Sequence, residues 1–249
     1  MDVTTAYLYG ELDADIYMKV LEGLKLPETT NKSRAYIEKI LKRFGMDKAN
    51  PLSTSMVVRF LDIKKDPFRP KEDDEMVLGP EVPYMSAIGA LLYLAQCTRP
   101  YIAFSVNLLV RYSSAPAIRH WKRVKDVLQY LHGTTDMGLF YLGKSTNDQI
   151  LAGFADAGFL SDPHKACSQT GYVFTNGDIA ISWRSTKQTL VATSSNHSKI
   201  LALHEASREC SWLGSMIHHI QNSCGLTSKI DNPYIIHKDN AAYVAQMKE

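Results

Sequence analysis

The sequence predicts an α/β protein in which a small helical layer precedes a mixed sheet packed with helices. Short runs rich in β-branched and aromatic residues alternate with one long amphipathic run after about residue 150. Asn176-Gly177-Asp178 separates two of the short runs, and Asn-Gly accepts the positive φ angles of a tight hairpin turn. Three runs with helical spacing come earlier, between about residues 85 and 131.

Length and composition restrict the classes of protein to consider. The chain has 249 residues, 45% of them hydrophobic, which predicts a globular protein of one or two domains. Lys and Arg number 28 against 26 Asp and Glu, a net charge of +2. Because this balance supplies no strong overall field, any binding of phosphate backbones depends on local basic patches.

The cysteines and the apolar runs predict an intracellular, soluble protein. Cys97, Cys167, Cys210 and Cys224 are far apart and form no zinc-binding pair, so we expect reduced, mostly packed thiols. No apolar run approaches the ~20 residues that span a bilayer, and no targeting signal is visible. The expected location is therefore the cytoplasm or the nucleus, with no membrane partner.

The first third predicts little regular structure. Residues 2–9 have the composition of a short strand, and residues 34–44 have helical spacing with Gly45 as the C-cap. Residues 62–83 are rich in Lys, Asp, Glu and Pro without periodicity. We predict that this last stretch is a solvated linker or loop.

The helical layer consists of segments at about 85–97, 102–113 and 117–131. Thr98-Arg99-Pro100 ends the first segment and Gly133 follows the third. In the third segment one side of the helix is apolar, and the basic residues lie on the other sides. The apolar side is formed by Trp121, Val124, Val127, Leu128 and Leu131. The pattern predicts a helix with a buried face and a basic face.

The last hundred residues predict strands at 150–156, 171–175 and 179–183, followed by a long helix. Ser194 or Ser195 can cap this helix, which runs to about residue 221. Its apolar residues keep helical spacing: Ile200, Leu203, Cys210, Leu213, Ile217 and Ile220. A strand at 234–237 and the start of a helix at 241–248 complete the α/β pattern.

Several motifs resemble the Pol polyprotein of copia-type LTR retrotransposons. Residues 1–12 and 16–18 are similar to the reverse-transcriptase palm segment that carries the first catalytic aspartate. The segment between palm and RNase H is matched at residues 35–44, 51–54, 84–94 and 98–103. The family's RNase H domain is matched at residues 154–158, 168–174, 180–183, 187–188, 191–195 and 239–240.

This resemblance implies three regions: a palm remnant at 1–28, a helical connection segment at 33–140, and an RNase H-like domain at 148–249, cut short at its C-terminus. It also implies an internal deletion between Glu28 and about Ser33, where the family carries a long polymerase segment with a Tyr-x-Asp-Asp turn. No such turn occurs in this chain.

The resemblance assigns vestigial catalytic roles to three aspartates. Asp2 is the one residue that matches the polymerase carboxylates, and Asp156 and Asp239 match two RNase H carboxylates that hold Mg²⁺ in the family. Both chemistries use two metal ions clamped by several carboxylates. One carboxylate cannot hold two such ions, so we expect no polymerase activity.

At the helix position where the RNase H family has a glutamate, this chain has Lys199. An ammonium there changes the local charge by about two units and should pair with Asp156 or Asp239. Glu205 cannot replace the missing glutamate, because it comes six residues after Lys199 and so lies about 240° around the helix from it. We therefore expect no bound Mg²⁺ and no ribonuclease H activity.

Three functions remain open: a residual Mg²⁺-dependent ribonuclease H, a catalytically dead nucleic-acid-binding module, and a degenerate Pol fragment without activity. The resemblance implies an RNA–DNA hybrid or another nucleic acid as partner. Arg184 and Lys187 are the candidate phosphate contacts, with Lys122, Arg123 and Lys125 as further cations.

Overall fold

The computed structural model of the protein describes residues 28–56, 64, 66–139, 151–176, 179–225 and 234–238. The chain divides between residues 140 and 141 into two compact units. We call the described residues 28–139 the helical unit and the described residues 151–238 the sheet unit. The predicted strand at 2–9, the residues Gly177 and Asp178 of the hairpin turn, and the predicted helix at 241–248 lie outside the described residues.

The helical unit begins with helix α1, Glu28–Arg43, which starts earlier than the sequence predicts. The predicted cap is present: Gly45 has a φ of 65°, a conformation that glycine adopts without strain. The Met46 amide donates to the Leu41 carbonyl at 2.8 Å, which closes the helix end. Ile37, Ile40 and Leu41 are buried and join α1 to the core of the unit.

The remaining helices are α2 (Tyr84–Cys97), a short 3₁₀ helix (Pro100–Ile102), α3 (Ala103–Val110) and α4 (Ile118–Gly133). On α4 the predicted apolar side is confirmed: Val124, Val127, Leu128 and Leu131 are buried and Trp121 packs half-buried against the core. Arg99, fully buried, donates from Nη1 to the Thr134 carbonyl at 2.7 Å. This bond ties the end of α2 to the end of α4, so Arg99 fixes the helix layer.

Residues 66–83 form no helix or strand, as predicted, but the prediction of a solvated loop is wrong for their first part. Phe68 is only 1% exposed and belongs to the core, and the Tyr112 hydroxyl donates to its carbonyl. Glu75 forms ion pairs with Arg69, at 2.9 Å, and with Arg119 of α4. One buried aromatic ring and these ion pairs hold a polar segment against the helices.

The sheet unit contains strands β1 (Leu151–Asp162), β2 (Cys167–Asn176), β3 (Ile179–Lys187) and β4 (Ile235–His237) in the order β3-β2-β1-β4. β1 to β3 pair antiparallel, whereas β4 pairs parallel with β1. The predicted mixed sheet is thus confirmed. β1, β2 and β3 extend beyond their predicted ends, because β1 and β2 remain paired at Gly158–Gln169 and Asp162–Cys167 and β2 and β3 remain paired to Gln169–Lys187. β4 is one residue shorter than the predicted strand at 234–237.

Helix α5, Ser195–Ser223, packs on this sheet. The residues that face the strands are mainly small, with Ala202, Ala206, Cys210 and Leu213 buried. The expectation that the large apolar residues form one buried stripe is wrong at its ends, since Ile200 is 37% and Ile220 is 52% exposed. Small side chains let the helix approach the sheet closely, and the longer ones lie at the margin.

The two remaining sequence predictions concern thiols and membranes. All four cysteines are free; Cys167 and Cys210 are buried, but Cys97 and Cys224 are exposed, so the expectation of mostly packed thiols holds for half of them. Within the described ranges, no helix combines the length and the apolar character needed to cross a bilayer.

Candidate functional site

Asp156 lies in the middle of β1, a central strand of the sheet. Its pairing partner on β2 is Gly171, which has no side chain to cover it. The Asp156 side chain is nevertheless 3% exposed. A carboxylate so far removed from water needs a compensating positive charge or several hydrogen-bond donors.

The cation that compensates Asp156 comes from the start of α5. Ser194 caps this helix by accepting a hydrogen bond from the His197 amide at 3.0 Å, which fixes where the helical turns begin. Lys199 then lies in the second turn, with its Nζ 3.4 Å from Asp156 Oδ1. The predicted pairing of Lys199 with Asp156 is therefore present.

Gln188 holds this turn of α5 against the end of β3. Its Nε2 donates to the Ser198 carbonyl at 2.8 Å and to Thr170 Oγ1 at 3.0 Å. Its backbone amide donates to the Ser168 carbonyl at 2.9 Å. Because Ser198 immediately precedes Lys199, these bonds help to fix the position along β1 at which the Lys199 ammonium lies.

The described residues do not fit a magnesium site. They contain no group of three or more His, Cys, Asp or Glu side chains that could hold a metal ion. Asp156 faces the Lys199 ammonium at 3.4 Å, and hard divalent cations require several oxygen ligands. Glu205 is engaged elsewhere, with Oε2 3.8 Å from Arg184 Nη1.

The two other vestigial aspartates, Asp2 and Asp239, lie outside the described residues. The strand that precedes Asp239 is β4, which Lys238 follows; in it His237 pairs with Phe154 of β1 and stacks on its ring at 5.0 Å. The register of β4 on β1 is constant over its three pairs.

Arg184 and Lys187 do not share a face of β3. Both belong to a stretch that pairs regularly with β2, from Tyr172–Arg184 to Gln169–Lys187. Side chains alternate along a strand, so residues three apart point to opposite faces. Arg184 is 55% exposed but carries the contact with Glu205. The structure thus leaves the two candidate phosphate contacts on different surfaces.

The comparisons with known proteins give the class of the chain. It is 37% identical over 252 residues to the retrovirus-related Pol polyprotein from transposon TNT 1-94 of Nicotiana tabacum, covering 96% of the chain and 18% of that polyprotein. It is 31% identical to the Pol polyprotein from transposon RE2 of Arabidopsis thaliana, over 90% of the chain and 14% of that polyprotein. These relatives are retrovirus-related Pol polyproteins.

Within that class, the chain belongs to the Pol polyproteins of copia-type retrotransposons. It spans less than a fifth of the length of each of these two polyproteins. A third relative, the secreted RxLR effector protein 161 of Plasmopara viticola, is 41% identical over 53% of the chain and 92% of its own length. No protein-family model matches, and no solved structure does.

The match to TNT 1-94 also bears on the internal deletion expected between Glu28 and about Ser33. The alignment has 252 positions and takes in 96% of the chain, so the junction lies inside it. Because the alignment has only 252 positions, it cannot contain a long gap between Glu28 and Ser33. The alignment omits 4% of the 249 residues, which is about ten residues. A missing polymerase segment would therefore have to lie next to these unaligned residues.

Proposed function

We propose that the chain is a degenerate piece of a copia-type Pol polyprotein that does not cleave nucleic acid. Its ancestral activities were RNA-directed DNA synthesis and the hydrolysis of RNA in RNA–DNA hybrids. In this proposal the sheet unit is an RNase H-like domain, and Asp156 is the remnant of its metal-binding carboxylates.

The observation that carries the proposal is the contact between Lys199 Nζ and Asp156 Oδ1 at 3.4 Å. A divalent ion at Asp156 would sit close to an ammonium group and lose a carboxylate ligand to it. Both effects oppose binding, the first through repulsion between cations and the second because Mg²⁺ demands oxygen ligands. When bound in the family, the metal pair generates the attacking hydroxide and stabilises the leaving oxygen.

The chain's own residues then perform a structural task at this position. Lys199 neutralises a carboxylate that β1 buries, and Gln188 holds the turn of α5 from which Lys199 extends. Neither residue delivers a proton to, or polarises, a substrate phosphate in this arrangement. In this proposal the Lys199 ammonium has replaced the metal ion as the cation that neutralises Asp156.

The test is incubation of the full chain with a labelled RNA–DNA hybrid and Mg²⁺ or Mn²⁺, beside an active ribonuclease H as positive control. The proposal predicts intact hybrid. Hybrid cleavage that depends on the metal and disappears in Asp156→Asn would contradict it and favour a residual ribonuclease H. Cleavage that survives in Asp156→Asn would indicate a contaminating nuclease, to be removed before the assay is repeated.

A nucleic-acid-binding module without chemistry is the second candidate. Arg184 is more than half exposed, as a contact to phosphate requires. Binding through Arg184 and Lys187 predicts an affinity for hybrid that falls steeply with salt and is lost on charge reversal at these two residues. Negligible affinity at low salt would leave a fragment without activity.

A further inference from the structure

One surface of the helical unit combines basic and aromatic side chains in a continuous series. The Arg43 guanidinium lies 5.6 Å from the centre of the Phe44 ring. Phe44 packs edge-on against Trp121, with ring centres 6.5 Å apart. Lys125 Nζ lies 5.8 Å above the centre of the Trp121 ring. We call these four residues the basic–aromatic ladder.

The ladder joins the C-terminus of α1 to the exposed side of α4. The tight turn at Gly45 brings Met46 to a cleft of about 230 Å³ that α4 lines with Lys122, Arg123, Lys125, Asp126 and Gln129. This volume is below the about 300–1,000 Å³ of a pocket that encloses a whole small molecule. An open cleft of this size can accommodate one monomer of an extended polymer whose other monomers lie outside the cleft.

The charges around the cleft do not cancel. Arg123 Nη1 pairs with Asp126 Oδ2 at 2.9 Å, so this cation has its counterion. Lys122 is exposed and makes no ion pair within the part of the chain that the structure describes. Lys125 contacts a ring rather than a carboxylate. With Arg43, the surface carries three positive charges that no described carboxylate neutralises.

Lys122 and Lys125 are three residues apart on α4 and therefore neighbours on the helix surface. Beside them, Phe44 and Trp121 are partly exposed, whereas the aliphatic core lies behind. Lysines next to partly exposed aromatic rings form a combination that can bind a nucleic-acid strand, because ammonium groups follow the phosphates and rings can stack on bases.

We propose that the basic–aromatic ladder, together with Lys122, is a binding surface for single-stranded nucleic acid. A single strand fits better than a duplex, since ring faces can stack only on bases that are not already paired and stacked inside a helix. The inference rests on the nucleic-acid-binding candidate above but assigns the contact to residues of the helical unit instead of Arg184 and Lys187 of the sheet unit.

The test compares two charge-reversed forms of the full chain. Lys122→Glu/Lys125→Glu alters the proposed surface, and Lys165→Glu/Arg208→Glu makes the same change of net charge at exposed positions of the sheet unit. Binding of a dye-labelled oligothymidylate is measured by fluorescence anisotropy over a salt series. Circular dichroism verifies that both forms fold, which their exposed positions favour.

We expect the first form to bind about tenfold or more weakly, with the salt slope reduced by about 1.4, at about 0.7 per lost phosphate contact on a single strand. The second form should bind like the unaltered chain. Equal losses in the two forms, no loss in the first form, or no binding by the unaltered chain at low salt would overturn the proposal. Equal or tighter binding of the matching duplex would overturn the choice of a single strand.

A second measurement uses the fluorescence of Trp121 in a Trp183→Phe/Trp212→Phe background. Stacking of a base on Trp121 should quench its emission as the strand is added; unchanged emission at saturation would contradict stacking. The hybrid-cleavage assay is read separately, so cleavage would refute the proposed function without affecting this surface, and a failed binding test would do the reverse.

Discussion

The Nζ atom of Lys199 lies 3.4 Å from Oδ1 of Asp156, and the two side chains are 19% and 3% exposed. A carboxylate in the centre of a sheet is thus balanced by a lysine from the second turn of the adjacent helix. The contact explains how Asp156 can be buried in a chain whose described residues offer no metal cluster. It also makes the energetic role of Lys199 measurable.

Replacing Lys199 by methionine should lower the free energy of unfolding by about 2 kcal/mol, because a buried carboxylate loses its counterion. Fully buried pairs lose about 3–5 kcal/mol, and the ammonium here retains some contact with water. Urea denaturation of Lys199→Met, Asp156→Asn and the double variant measures the coupling between the two residues. A coupling energy near zero would mean that the pair contributes nothing.

Lys199→Glu should give the chain a stability that depends on divalent cations. Without metal, two neighbouring carboxylates repel each other and the melting temperature should fall. Mg²⁺ or Mn²⁺ should restore about 1 kcal/mol at a concentration about five times the Kd, since the ion binds only the folded state. Lys199→Gln, which adds no carboxylate, is the control. Equal metal effects on both variants would show that position 199 is not next to a potential metal site.

Glu75 should contribute to stability at neutral pH and cease to do so in acid. The hydrogen bond from Arg119 lowers the pKa of Glu75 to about 2, from 4.5. A lowered carboxylate pKa stabilises the fold above the unfolded value of 4.5, and the contribution disappears as the pH falls towards 2.

Glu75→Gln should therefore cost about 1–2 kcal/mol at pH 7, a modest value because the side chain is a quarter exposed, and nothing near pH 2. Thermal unfolding across this pH range measures the difference. Asp73→Asn, at an exposed position of the same segment, should have no effect. A cost that stays constant with pH would contradict the ion-pair explanation.

His120 should make the helical unit sensitive to mild acid. The side chain is fully buried, and burial lowers its pKa to about 4, from 6.5. Its Nδ1 accepts a hydrogen bond from the Ala117 amide at 3.0 Å, its ring stacks on Tyr112, and Arg69, Glu75 and Arg119 face it. The neutral form is thus the one that the fold accommodates.

Because the pKa of His120 is lower in the folded state than in the unfolded state, its protonation destabilises the fold. The free energy of unfolding should therefore decrease by about 3 kcal/mol as the pH falls from 6.5 towards 4. In His120→Gln this part of the pH dependence should vanish, whereas His204→Gln, at an exposed position, should retain it. Melting temperatures measured between pH 7 and pH 4 distinguish the two. An unchanged profile in His120→Gln would show that another group titrates.

The order of helices and strands could be predicted because each depends on local pattern. Ser194, one of the two predicted caps, caps α5, so counting along the helix places Lys199 correctly. The position of Lys199 relative to Asp156 then followed from the family resemblance, and the ion pair is present.

Contacts between segments distant in sequence could not be predicted in this way. Phe68 lies in a stretch whose composition indicates exposure, yet one aromatic side chain suffices to fix it in the core. The basic–aromatic ladder needs α1 and α4 side by side, which neither helix encodes alone; the sequence predicted only the basic face of α4, with Lys122 and Lys125 among its cations. Gln188 was noted as a motif residue, but its bond to Ser198 required the fold.

The most direct test of the account is a titration of Mn²⁺ into the isotope-labelled full chain, followed by NMR at the amides of Ala155, Asp156 and Lys199. We predict no saturable, site-specific broadening of these signals, because the Lys199 ammonium lies beside Asp156. Saturable broadening of all three, reversed by a chelator, would show that a divalent ion binds between β1 and α5 in spite of the lysine, and would contradict the central claim.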